Sequence, residues 1–356
     1  MRRFARGRYR VIQWATGHQG RLVIEMIAGP RRPHLELVGC WVHSKEKVGL
    51  DAGEIAGVDR LGVEATDDEE ALIALDADCI VYSGFWPDMD LICRMLAAGK
   101  NVVTQIGPVH LREGRRRQQV EDACRIGGSS FFGTGINTGF FSDRLCAAIT
   151  TLNGEVDHLS LVEYSPDSLT GLSDFMVFEA MGFGWSEQRL AAEQPSLFGP
   201  VTQSGMFAAG DFVAAALGFE IDQRESDHRF FMATRDVNFR DRVVAAGTVA
   251  AVSTSYRMFS EGVERLHLVQ AWKIDPDLDT GWPYDAHPKA VYQLEVKGRP
   301  SYRLYWEPDG DGMADALYSA AAAVVNAIPY VCDADPGIRT ALDLPMICFS
   351  GDLTRP

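Results

Sequence analysis

No cysteine spacing in this chain makes a metal knuckle or a disulfide frame. The seven cysteines, Cys40, Cys79, Cys93, Cys124, Cys146, Cys332 and Cys348, are odd in number and contain no C-x-x-C pair, which points to reduced thiols and a cytoplasmic setting. The eight histidines never stand four residues apart, so no helix face offers two imidazoles to one ion, and no metal is expected. A run of about 18 apolar residues is also missing, which argues against a membrane span. Ala320 to Val325 is apolar but short and reads as helical core. Positive charge is scarce: at a net −15 the chain repels phosphate backbones, and nucleic acid is not an expected partner. The five arginines of Met1 to Arg10 precede neither an apolar core nor a small-residue cleavage site, so this stretch is expected to be a solvated lead-in to the first strand. No internal repeat is present.

What is there is enough apolar material for a large core. With 356 residues and 46% hydrophobic content, two domains are expected. The segment Tyr9-Arg-Val-Ile-Gln-Trp-Ala-Thr-Gly17-His-Gln-Gly20 reads as a buried strand, a glycine turn and a helix start, the arrangement that cradles a dinucleotide pyrophosphate. Gly17 is expected to let the backbone turn close to an anion, Gly20 to let the helix pack on the strand, and helix amides to face the phosphates. The cofactor loop is therefore Ala15, Thr16, Gly17, His18, Gln19 and Gly20, with Ala15 where the usual motif has its first glycine. The next strand, from Leu35, ends in His43-Ser44-Lys45 without a carboxylate at its tip. A hydroxyl beside cations suits a 2'-phosphate, so NADP(H) is favoured, with NAD(H) as the alternative; the bland reading is a solvated turn.

Beyond this point helix and strand alternate, as in a doubly wound parallel sheet. Asp67 to Leu75 reads as a helix, Asp78 to Gly84 as a strand, and Asp88 to Ala98 as a helix begun by Pro87 and ended by Gly99. Lys100 to Thr104 is a strand, Arg112 to Ile126 a helix and Ser130 to Gly135 a strand. From Gly154 the pattern changes. Val156 to Tyr164, Arg242 to Phe259, Val263 to Ile274 and Ala290 to Tyr305 read as strands of a mixed or antiparallel sheet, Phe175 to Leu217 as mostly helical, and Met313 to Ala327 as a last helix before a loop from Pro329 to Leu344. The fold class is α/β with a second α+β domain: residues 1–150 bind the cofactor, 151–308 form the second domain, and 309–356 return to the first.

In several stretches the sequence resembles the dihydrodipicolinate reductase-like family, in the actinobacterial branch of the group containing 2,4-diaminopentanoate dehydrogenases and native amine dehydrogenases. The stretches are Gln13 to Gly20, Val42 to Gly49, Asp51 to Glu54, Gly99 to Thr104, Gly133 to Phe141, Met181 to Gly184 and Val325 to Pro329. The resemblance implies a Rossmann domain, a dimer built through the second domain, and NAD(P)H-dependent reduction of a C=O or C=N bond. Two departures stand out. The paired His-His of true dihydrodipicolinate reductases is absent, which argues against a charged diacid substrate. The family's amine dehydrogenases carry a Glu after the Gly-Lys-Asn-Val strand, where this chain reads Gln105-Ile-Gly-Pro108-Val-His110; reductive amination is therefore expected to be weak or absent.

At the carboxyl ends of the strands Ser83, Gly84, Gln105 and Asn137 are expected around the nicotinamide. Asn137 is the polar anchor, or simply a turn residue in Gly-x-Asn-x-Gly. Candidate proton donors are His110, nearest to the missing Glu, and Glu163 or Tyr164, of which alternation sends one inward. His110 also reads as a solvated loop residue. Phe175, Phe178, Met181, Phe183 and Trp185 line an apolar pocket or form plain core. Asp174 and Glu179 are expected to cap or solvate a helix. The leading reading is an oxidoreductase acting on a small apolar substrate at the domain interface, in a cytoplasmic homodimer; the competing readings are a catalytically silent NADP-binding sensor or assembly protein, and an amine dehydrogenase despite the missing Glu.

Overall fold

The computed structural model describes residues 7–107, 109–166 and 169–354; the first arginines and Pro108 lie outside them. The strands in chain order are β1 (Tyr9–Trp14), β2 (Leu35–Trp41), β3 (Ala65–Thr66), β4 (Cys79–Tyr82), β5 (Asn101–Thr104), β6 (Ser130–Gly133), β7 (Glu155–Ser165), β8 (Gln223–Met232), β9 (Val237–Phe239), β10 (Arg242–Val244), β11 (Val249–Ser260), β12 (Val263–Lys273), β13 (Tyr292–Arg299), β14 (Tyr302–Trp306) and β15 (Gly337–Arg339). Two compact units result: residues 1–139 with 318–356, and residues 140–317.

The first unit is a parallel sheet in the order β15-β6-β5-β4-β1-β2-β3. Its central strands are buried on both faces, which is why they read as unbroken apolar runs such as Cys79-Ile-Val-Tyr82. The chain steps outward from β1 to β2 and β3, then crosses back to place β4 on the other side of β1. That reversal opens a crevice beyond the carboxyl ends of β1 and β4.

The expected helices form with shifted ends. Asp68 caps Glu69–Ala74 by accepting from the Ala71 amide at 3.0 Å, which leaves Asp67 outside the helix. Asp88 caps Met89–Ala97, so Pro87 precedes the cap instead of opening the first turn. Arg115–Gly127 starts three residues later than expected, behind Gly114 at φ +142°. The last helix runs over Gly312–Cys332 and contains Pro329, so proline does not end it as expected. β15 follows, inside the stretch expected to be loop, and pairs with β6. That helix is long and apolar enough to cross a membrane by composition. Its Ala321, Val324, Val325, Ile328 and Val331 are instead fully buried in the first unit's core.

Asp51 shows how the stretch after β2 is fixed. It is 1% exposed, and its carboxylate accepts from the backbone amides of Gly53 at 2.8 Å, Leu61 at 2.9 Å and Gly62 at 2.8 Å. The Leu61 amide first, then those of Gly53 and Gly62, hold its pKa below the ordinary carboxylate value against the opposing effect of burial. Asp51→Ala is expected to cost about 1.5–3 kcal/mol, because the buried Gly53 amide and the more exposed Leu61 and Gly62 amides lose a charged acceptor. A carboxylate depressed on folding contributes stability above its unfolded pKa, near about 3.9, and loses that contribution as pH falls through the lower folded value. Urea melts between neutral pH and pH 2 should therefore show the gap between wild type and variant closing only at the acid end; a gap independent of pH contradicts the assignment.

The second unit is a six-stranded mixed sheet, β14-β13-β7-β12-β11-β8, parallel only between β7 and β12, plus a β9-β10 ribbon. The expected strand from Arg242 to Phe259 breaks into β10 and β11 around Gly247 at φ +79°. The one from Ala290 to Tyr305 is the β13-β14 hairpin. β8 carries four charged residues among ten, which break any apolar alternation in its sequence. The helix Pro200–Leu217 packs on one sheet face; a Cβ on its Gly210 would lie 1.9 Å from the Met258 sulfur. Phe178, Met181, Phe183 and Trp185 are buried core, and the indole of Trp185 donates to the Phe178 carbonyl at 2.7 Å, whereas Phe175 is half exposed. Asp174 pairs with Arg240 and Arg242, and Glu179 with Arg189.

Candidate functional site

The turn after β1 is tight because of two contacts. A Cβ on Gly20 would lie 2.0 Å from the Ala15 carbonyl oxygen and 2.9 Å from Nε2 of Gln13, so only glycine lets the helix His18–Ala28 approach the loop. Gln13 is fully buried and donates to the Ala15 carbonyl at 2.8 Å. Gly17 differs from expectation. Its φ is −67°, which any residue adopts; the left-handed residue of the turn is Ala15, at φ +72°. What glycine provides at position 17 is room, since nothing lies within 4 Å of its absent Cβ. Gly17 caps the helix without a side chain, so its first amides are left to other acceptors.

Side chains tie this loop to its neighbours. Gln105, past the end of β5, donates from Nε2 to Oε1 of Gln19 at 3.1 Å. His18 opens the helix with its pKa lowered, mainly by burial and then by Arg21. The Ser83 amide donates to the Trp14 carbonyl at 2.9 Å. Gly84 is required by the Tyr82 side chain, whose hydroxyl a Cβ would meet at 2.7 Å and whose ring at 2.8 Å. Asn137 sits half-buried in a turn between Gly135 and Gly139, both at positive φ. Oγ of Ser83 and Oε1 of Gln105 are buried without a hydrogen-bond partner. The orphaned Ser83 hydroxyl and the acceptor Oε1 of Gln105 fit a polar ligand that brings a donor, while the amides that no side chain caps at the helix start and the open space over Gly17 fit an anion.

The cations after β2 are arranged differently from the sequence reading. Lys45 is 85% exposed and ion-paired with Asp67, and His43 is exposed. Ser44 donates to Glu46, whose pKa is lowered by its own backbone amide and then by that bond. Lys47 turns toward the loop: its Nζ donates to the Thr16 carbonyl at 3.2 Å and to the Thr16 hydroxyl at 3.3 Å. The short helical turn Lys45–Lys47 that aims it was not legible in the sequence.

In the second unit alternation separates the two adjacent candidates. The Tyr164 hydroxyl donates to Asp285, which also pairs with the buried Lys273 at 3.2 Å and accepts from the Thr280 hydroxyl at 3.3 Å. Glu163 points to the opposite face. It lies in one cross-strand row with Tyr292, Gln270, Thr254 and His228, and accepts from the Trp272 indole at 3.3 Å and from Gln270 at 3.4 Å. His228, whose pKa burial lowers, meets the Thr254 hydroxyl at 3.2 Å. Sequence reading missed Lys273, Asp285 and His228, since the contacts of Lys273 with Asp285, Asp285 with Tyr164 and His228 with Thr254 join residues distant in the chain and no local motif marks them. His110 is half-buried in the segment after Pro108, next to Val109, whose backbone lies against Gly133. Among the described residues no group of three or more His, Cys, Asp and Glu is arranged to hold a metal.

A parallel sheet with a glycine loop and a helix start at its order reversal, together with a mixed-sheet unit, defines a fold of the Rossmann type. Residues 140–354 match the family model described as the 2,4-diaminopentanoate dehydrogenase C-terminal domain, and the chain belongs to that family. It is 30% identical over 369 residues to an amine dehydrogenase of Streptomyces virginiae, covering 97% of this chain and 98% of that one. Its structure is similar to that of the amine dehydrogenase from Mycobacterium smegmatis, with a TM-score of 0.77 at 19% identity over 96% and 97% of the two chains. A myo-inositol dehydrogenase from Lactobacillus casei, solved with NAD(H) and myo-inositol, shares the fold at a TM-score of 0.56 and 11% identity over 94% and 90%. The protein is an oxidoreductase.

Proposed function

We propose that this oxidoreductase uses NADP(H) to reduce a C=N or C=O bond of a small apolar substrate. The observation that carries the reading is the loop Ala15–Gly20, with open space over Gly17 and the Lys47 ammonium on Thr16. The loop amides would hold the pyrophosphate, Lys47 with Ser44 and Lys45 the 2'-phosphate, and Ser83, Gln105 and Asn137 the nicotinamide end. When bound, the cofactor supplies the hydride. The chain's own part is to orient the acceptor carbon and to hold a proton for the heteroatom. Glu163, Tyr164 and His110 are the groups proposed for that proton. NAD(H) is the alternative cofactor.

The amine dehydrogenase reading is favoured by the full-length likeness to such an enzyme. Against it stands the missing acid at Pro108, which lies outside the described residues: proline offers neither charge nor donor to an ammonium ion. The test is NADPH oxidation across ketones, aldehydes and preformed imines with and without ammonia. Turnover of a ketone or aldehyde without ammonia supports the carbonyl reading, and robust ammonia-dependent turnover of a simple ketone replaces it with the amine reading. Binding without any turnover favours the sensor.

A cytoplasmic homodimer completes the proposal. One face of the second sheet is lined along its middle by Arg257, His267, Ser160 and Glu295 in a single row, a polar surface of the kind a two-fold copy can cover. Sedimentation equilibrium at micromolar concentration should give the dimer mass; a single monomer mass rejects it.

A further inference from the structure

We infer that Phe85 and Trp86 form an aromatic contact surface for the nicotinamide half of the bound dinucleotide, an inference that rests on the dinucleotide reading above. The sheet order reverses between β1 and β4, and ligands of such sheets bind in the crevice beyond those two carboxyl ends. The anion loop follows β1, and Ser83 to Pro87 follows β4. The two segments are joined at the reversal by the Ser83 amide on the Trp14 carbonyl, 2.9 Å, beside the orphaned Ser83 hydroxyl.

The next large side chains point outward. Phe85 is 51% and Trp86 52% exposed, and their rings meet edge to face at 5.1 Å. The backbone that presents them is held firmly. The Tyr82 hydroxyl donates to the Trp86 carbonyl at 2.9 Å and accepts from the Asp88 amide at 3.1 Å. Below, Gly107 at φ +94° leaves room for Pro87, whose Cβ would stand 2.6 Å from any side chain there. Two adjacent exposed aromatics on a fixed turn are a patch that marks a ligand site more than a solvated loop.

The sheet order also selects the half of the ligand. Lys47 reaches Thr16 from the β2 side of β1, where the adenosine end belongs, and β4 lies on the opposite side. The pair therefore faces the other half of the dinucleotide, with an aromatic ring for a flat one and an apolar cover against water.

The experiment compares Phe85→Ala, Trp86→Ala and the double variant with wild type. It uses titration calorimetry with NADPH and, separately, with 2',5'-ADP, which carries only the adenosine half. Each single change should weaken NADPH about tenfold and leave 2',5'-ADP binding and the melting temperature unchanged. Trp86→Phe should retain most of the NADPH affinity. Unchanged NADPH affinity in the double variant, or an equal loss for both ligands, overturns the inference while leaving the dinucleotide reading intact. A wild-type protein that binds neither ligand overturns both.

Discussion

Gly17→Ala is expected to fold like wild type and to bind NADPH about 10- to 100-fold more weakly. The two halves of that expectation have separate causes. In the protein alone the new methyl meets nothing within 4 Å, and φ −67° with ψ −170° suits alanine, so the melting temperature should move little; alanine caps a helix somewhat less well than glycine, a cost of roughly a few tenths to 1 kcal/mol. In the complex the methyl enters the space assigned to the pyrophosphate, where overpacking costs about 1–3 kcal/mol. Gly20→Ala is the contrasting control. Its methyl collides with the Ala15 carbonyl, so stability and binding should fall together. Calorimetry with NADPH beside thermal melts reads both quantities. A Gly17→Ala protein with unaltered affinity would move the anion site elsewhere.

The second large effect is expected at Lys47. A charge-assisted hydrogen bond contributes about 1.5–3 kcal/mol, so Lys47→Met should weaken NADPH roughly 10- to 100-fold and NADH little. Lys45→Met should do less, because Lys45 already pairs with Asp67 on an exposed surface. Paired dissociation constants for the two cofactors decide it. Equal losses for NADPH and NADH would assign Lys47 to the pyrophosphate or to the loop itself, and a parent protein with no preference would remove the NADP(H) reading.

The first unit was legible in the sequence because its signals are local. A strand buried on both faces reads as an apolar run, and Gly20 is fixed by a contact only five residues away. The register of function within that motif was less legible. Gly17 looked like the residue that makes the turn, but Ala15 takes the left-handed conformation, a strain that composition does not display. Lys45 looked like the phosphate reader because it follows Ser44. A three-residue helical turn brings Lys47 onto Thr16 as well, which spacing alone does not display.

The second unit was legible in outline only. Strands such as Val263–Lys273 alternate well, yet β8 is polar or charged from Gln223 to Arg229 and β15 has three residues. The row of Glu163, Gln270, Thr254 and His228 exists through strand register, and the meeting of Tyr164, Asp285 and Lys273 spans more than a hundred residues. Neither follows from spacing along the chain. The family resemblance supplied the dehydrogenase class, which those contacts alone do not.

The most direct measurement of the central claim is single-turnover oxidation of protein-bound NADPH, followed by its fluorescence, against a panel of apolar ketones, aldehydes and preformed imines. The account expects at least one apolar carbonyl or imine to be reduced without added ammonia, with the bulk of the activity lost in Gly17→Ala. Tight NADPH binding with no oxidation by any compound of the panel, in the presence or absence of ammonia, would contradict it.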